Sequence, residues 1–98
     1  MSYFVFCTFD LKNATASDYK DAYADLETLG LKKVIVSGQN TNVVIPTTSV
    51  AGTFEGASAS AVRDTLCDRV QQAFKARRFS SEIFVVVGGD WAWGGRTT

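Results

Sequence analysis

Asp10 is the residue whose type and position best suit chemistry. It follows Phe9, where the run Tyr3-Phe-Val-Phe-Cys-Thr-Phe9 ends. A carboxylate at a strand terminus beside a two-fold axis meets its own symmetry mate. Two such carboxylates could hold a divalent cation, since oxygen ligands suit Mg2+ or Mn2+. That metal could activate water and steady a phosphate. The plainer reading is that Asp10 opens a turn by accepting from nearby backbone amides.

The cations Lys12, Lys75, Arg77 and Arg78 are candidate contacts for a phosphate backbone. Three of them fall where a helix is expected to end, where positive charge also complements the helix dipole. Trp91 and Trp93 are two apart and share a face if extended. They could stack bases, or they could anchor packing or a protein interface. Gly88-Gly89 and Gly94-Gly95 do not form a phosphate-binding glycine pattern. Thr47-Thr48-Ser49 supplies hydroxyls, but no base of the triad type accompanies them.

Composition narrows the chemistry further. The chain has 98 residues and no histidine, which removes imidazole as base, metal ligand and pH switch. Ten basic residues balance ten acidic ones, so bulk charge does not drive nucleic-acid binding. Hydrophobic residues make up 46% and charged residues 20%, a globular composition. Cys7 and Cys67 lie in hydrophobic patterns without a CxxC, so they read as buried apolar side chains of a reducing, cytoplasmic protein. No apolar run nears the ~20 residues that span a bilayer, and Met1 to Asp10 lacks the basic start of a signal peptide.

The elements that must position these residues follow from periodicity. Tyr3 to Phe9 is aromatic and β-branched and reads as a strand. Tyr3, Val5, Cys7 and Phe9 face one way, and Phe4, Phe6 and Thr8 the other. Tyr19, Ala22, Tyr23, Leu26 and Leu29 recur at helical spacing, which predicts a helix over 17–29. Thr15 or Ser17 caps its start and Gly30 stops it. Lys32 to Ser37 reads as a second strand, and Gly38 to Asn42 as a turn. Val43 to Ile45 resumes extended structure until Pro46 interrupts it. Thr47 to Phe54 reads as a further strand, with Gly52 as a bulge. This middle stretch is one long hairpin or two strands with a broken centre. Ser58 or Ser60 starts a second helix whose buried stripe is Val62, Leu66, Val70, Ala73 and Phe74. Ile83 to Val87 is the most hydrophobic strand.

The order is β-α-β-β-α-β with an extended tail from residue 89. The expected architecture is one α+β domain over 1–98, a ferredoxin-like βαββαβ sandwich with both helices on one face of an antiparallel sheet. The first and last strands are nevertheless apolar on both faces. Phe4, Phe6, Phe84 and Val86 would form an exposed patch of the kind monomers avoid. Two covers are expected: a homodimer that pairs these faces, or the tail with Trp91 and Trp93 folding back across the sheet.

The opening Tyr3-Phe-Val-Phe-Cys-Thr-Phe-Asp10-Leu, followed by a helix ending Leu29-Gly30, resembles the small ferredoxin-like ribonuclease superfamily. That group includes the CRISPR-associated protein 2 family, the VapD toxins and the GhoS antitoxin. Pro46-Thr-Thr-Ser-Val-Ala-Gly52, Val62-Arg-Asp64 and Gly89-Asp-Trp-Ala-Trp93 look like small bacterial and phage relatives of that group. The resemblance implies a homodimer and metal-dependent endoribonuclease activity, with Asp10 as catalytic and metal-site carboxylate. It also covers members that serve as scaffolds. The alternative function is therefore a non-catalytic dimeric interaction module, such as a toxin–antitoxin or phage accessory protein. A third is a small-ligand binder with a pocket at Tyr19 or Tyr23.

Overall fold

The computed structural model describes residues 1–98. Its elements are β1 (Ser2–Leu11), α1 (Ala16–Thr28), β2 (Val34–Val36), β3 (Asn42–Val44), β4 (Ser49–Glu55), α2 (Ala59–Ala76) and β5 (Ser81–Gly88). The protein is α+β, with antiparallel strands and two helices.

β1 is the centre of a three-stranded sheet in the order β4-β1-β5. Val5 lies opposite Gly52 of β4 and opposite Val87 of β5. Alternation therefore sends Tyr3, Val5, Cys7, Phe9 and Leu11 to one face, and all five are buried. The helices pack on that face. α1 contributes Ala22 and Leu26, and α2 contributes Val62, Leu66, Val70 and Phe74. Phe9 is wrapped by rings, with Tyr23 and Phe74 both at 5.5 Å between centroids.

The helix starts follow their capping residues. Thr15 accepts from the Asp18 amide while Asp18 accepts from the Thr15 amide, a reciprocal capping box. Ser58 accepts from the Ala61 amide at the start of α2. α1 ends at Gly30, whose φ of 93° suits glycine.

The middle of the chain differs from expectation. Instead of two strands there are three. β2 and β3 form a separate two-stranded hairpin, and the expected strand from Thr47 begins at Ser49. The hairpin is tied to the main sheet by reciprocal Lys32 and Ala51 backbone bonds, both 2.9 Å. Gly52 makes no bulge, since the β1–β4 register runs through it without a break. Its small size serves a close crossing instead. A Cβ at Gly52 would lie 2.2 Å from the Gly30 carbonyl oxygen. No helix is long and apolar enough to cross a membrane.

Candidate functional site

The even residues of β1 form the other face of the sheet. In sequence order they are Ser2, Phe4, Phe6, Thr8 and Asp10, and register places Gly88, Val86, Phe84 and Glu82 of β5 beside the last four. Asp10 thus ends the same row that carries the apolar side chains. Its cross-strand neighbour is Glu82, the only charged residue of β5. Two carboxylates side by side on adjacent strands would repel, and Lys12 offsets this. Its ammonium lies 3.0 Å from Glu82. The Tyr19 hydroxyl reaches down from α1. It accepts from the Leu11 amide at 3.2 Å, while Asp10 Oδ1 at 3.2 Å and the Leu11 carbonyl at 3.1 Å are the acceptors in reach of its proton. Thr8, Thr47 and Thr48 complete an open depression of about 500 Å³ beside Asp10.

The donors here are hard oxygens, which suit Mg2+ or Mn2+ rather than softer metals. One chain supplies two carboxylates. No three His, Cys, Asp or Glu side chains gather where they could hold a metal. A cation at Asp10 would therefore complete its shell with water or with a second copy.

The basic candidates are only partly brought together. The Lys12 amide donates to Ser80 at 2.8 Å, which sets this residue against the loop that carries Arg78. Arg77 is committed elsewhere. Its guanidinium holds Asp25 in a two-pronged contact at 2.9 Å and Asp21 at 3.4 Å. The Asp25 hydrogen bonds raise its pKa further, so it acts as a clasp between α2 and α1. Lys75 lies in the last turn of α2. Arg78 follows with φ at 62°, a left-handed conformation that lets Phe79 donate back to Phe74.

The apolar candidates divide into two groups. Phe4 and Phe6 are roofed by this chain's own tail and hairpin. Trp91 stacks on Phe4 with centroids 6.0 Å apart, and Trp93 lines a cavity of about 620 Å³ with Phe4, Phe6 and Ile35. Phe84 and Val86 are left out, 62% and 49% exposed. The tail thus covers the β1 and β4 side of the face and leaves the β5 side bare.

Sequence reasoning missed Glu82 and the polar role of Tyr19. Glu82 carries a signal in hindsight, as the one charge entering the most hydrophobic strand. The position of Tyr19 over Asp10 depends on how α1 crosses the sheet, which spacing along the chain does not encode. The cysteines are free, and Cys7 is fully buried. Burial, together with Cys67, pushes its thiol up to about 12. Neither is a nucleophile at neutral pH. No protein-family model matches this chain, and a search of curated proteins also finds no match.

Proposed function

We propose that this chain is a ferredoxin-like homodimeric interaction module, a scaffold of the kind found among relatives of the small ribonuclease superfamily. One observation carries the reading. Phe84 and Val86 remain 62% and 49% exposed on a face whose other large apolar side chains, Phe4 and Phe6, lie under this chain's own tail and hairpin. A bare apolar row on a rigid strand favours association with another surface. The engagement of Arg77 by Asp21 and Asp25, and of Lys12 by Glu82, also suits a scaffold better than a phosphate-gripping surface. Sedimentation of the full chain across a wide concentration range tests this. A dimer that weakens on Phe84→Ser is expected. A monomer at every concentration refutes the reading.

A second reading is favoured by the pairing of Asp10 with Glu82 on the open face. It is Mg2+- or Mn2+-dependent endoribonuclease activity with Asp10 as the essential carboxylate. RNA cleavage in the presence of either metal, lost in Asp10→Asn with the fold retained, would support it. Equal cleavage by both proteins would remove it.

A further inference from the structure

The free edge of β5 accounts for the bare row more fully than the face alone. β5 pairs with β1 on one side and with no strand on the other. The register fixes which of its backbone groups are free. The Lys12 amide donates to Ser80, its direct partner in the β1–β5 register, so even residues of the two strands bond each other. The Phe9 amide donates to Thr48 in the same way, so odd residues of β1 serve β4. On β5 the amides and carbonyls of Ile83, Val85 and Val87 therefore point away from the sheet. An edge of this kind is a template for one more strand.

Nothing along this edge blunts it. β5 has no proline and no lysine, and its one charge is Glu82 near its start. Both its faces are incompletely covered. Ile83, Val85 and Val87 are half-buried on the helix side, while Phe84 and Val86 are exposed on the other. The strand that completes it must be apolar on both faces, which β5 itself is.

We propose that two copies of this chain join β5 to β5 in antiparallel fashion, with Val85 facing Val85 across a two-fold axis, to give one continuous six-stranded sheet. This deepens the dimer reading and rests on it. Only odd residues offer free groups, so odd must oppose odd. With Val85 on the axis, Ile83 faces Val87 on the helix side and Phe84 faces Val86 on the open side. Glu82 then faces Gly88, where there is room. Moving the axis to Phe84 would press Glu82 against Val86. Moving it to Val86 would set Phe84 against Gly88 and leave the ring uncovered. The central register forms about six new backbone hydrogen bonds.

Two experiments test this, with Cys67→Ser as background. Val85→Pro removes an amide that β1 does not use, at the kind of edge position that tolerates proline. Circular dichroism should stay native while the dimer dissociation constant rises about ten- to a hundred-fold. A folded Val85→Pro protein that dimerises as tightly as its background overturns the proposal. Disulfide trapping keeps it testable should that variant unfold. Phe84→Cys mixed with Val86→Cys should form a cross-linked dimer, since open-side partners at such a pair lie within disulfide reach. Either variant cross-linking efficiently alone overturns the register. A dimer that the mixture fails to trap overturns edge pairing but leaves the dimeric module standing. A background protein that is monomeric throughout overturns both.

Discussion

Gly52→Ala is expected to destabilise the fold strongly for a side chain so small. The added Cβ would sit 2.2 Å from the Gly30 oxygen and 3.0 Å from the Phe54 ring, against 3.4 Å or more for ordinary contact. The ring can turn aside. The backbone at Gly30 must retreat by about 1.2 Å to restore that contact. Two residues further on, Lys32 exchanges both of its bonds with Ala51, each at 2.9 Å. Losing the pair costs about 1 kcal/mol per bond. Leu31 lies between them, fully buried, and its displacement adds about 1 kcal/mol. Restricting the unfolded chain returns about 0.5 kcal/mol. The net loss is about 2–3 kcal/mol, or some 10–20 °C in Tm for a domain of this size. Urea unfolding of Gly52→Ala beside Gly38→Ala measures it, since a Cβ at Gly38 meets nothing within 4 Å. If the two variants have equal stability, the close crossing does not fix the α1-to-β2 turn and the reasoning fails.

Two further outcomes follow from particular residues. Cys7 is held protonated by burial, with its pKa raised from 9.0 to about 12. Its contribution is fully present below the unfolded value and is lost as pH rises toward the folded one, at about 1.4 kcal/mol per unit. In a Cys67→Ser background, urea midpoints should fall above about pH 9, and Cys7→Ala should flatten that fall. Arg78→Gly relieves a left-handed residue at φ 62° and should raise stability by about 0.5–1 kcal/mol, read as a higher urea midpoint with unchanged slope.

The parts of the fold that showed in the sequence are those set by local periodicity. The alternation Tyr3, Val5, Cys7, Phe9 runs along the buried face of β1, and the stripe Val62, Leu66, Val70, Ala73, Phe74 along that of α2, with Ala73 alone only half-buried. Thr15 and Ser58 are caps because each has an oxygen within reach of an amide three residues on. The strands and turn of the β2–β3 hairpin lay within the spans read from the sequence, but its separation from the main sheet did not show, because Val34 to Val36 and Asn42 to Val44 are too short for alternation to define a face. The role of Gly52 was misread for another reason. A glycine in a strand has no side chain to bury, and only the crossing of Gly30, distant in sequence, explains it. Asp10 could be placed on the open face by parity alone, but its neighbours Glu82 and Tyr19 come from register and helix placement.

A metal shared between the two Asp10 carboxylates requires a different dimer from the edge-paired scaffold, and geometry separates them. A shared metal needs the two Asp10 carboxylates within a few ångströms across an axis. In the edge dimer β1 lies one strand inside the seam, so the two β1 strands stand three spacings apart, about 14 Å. Asp10 also sits beside Glu82, which would face Gly88 of the other copy. The two aspartates are therefore offset along the strands by six residues, about 20 Å. They cannot share an ion. An edge dimer thus fits a scaffold whose open face continues across the seam, with Phe84 and Val86 of one copy lying beside Val86 and Phe84 of the other. Should that same edge dimer cleave RNA and lose the activity with Asp10→Asn, the chemistry would belong to Asp10 and Glu82 of one chain. The essential test is then Glu82→Gln. Its loss of activity with an intact dimer would place both carboxylates in one site, because Glu82 meets no other acidic residue across the proposed seam.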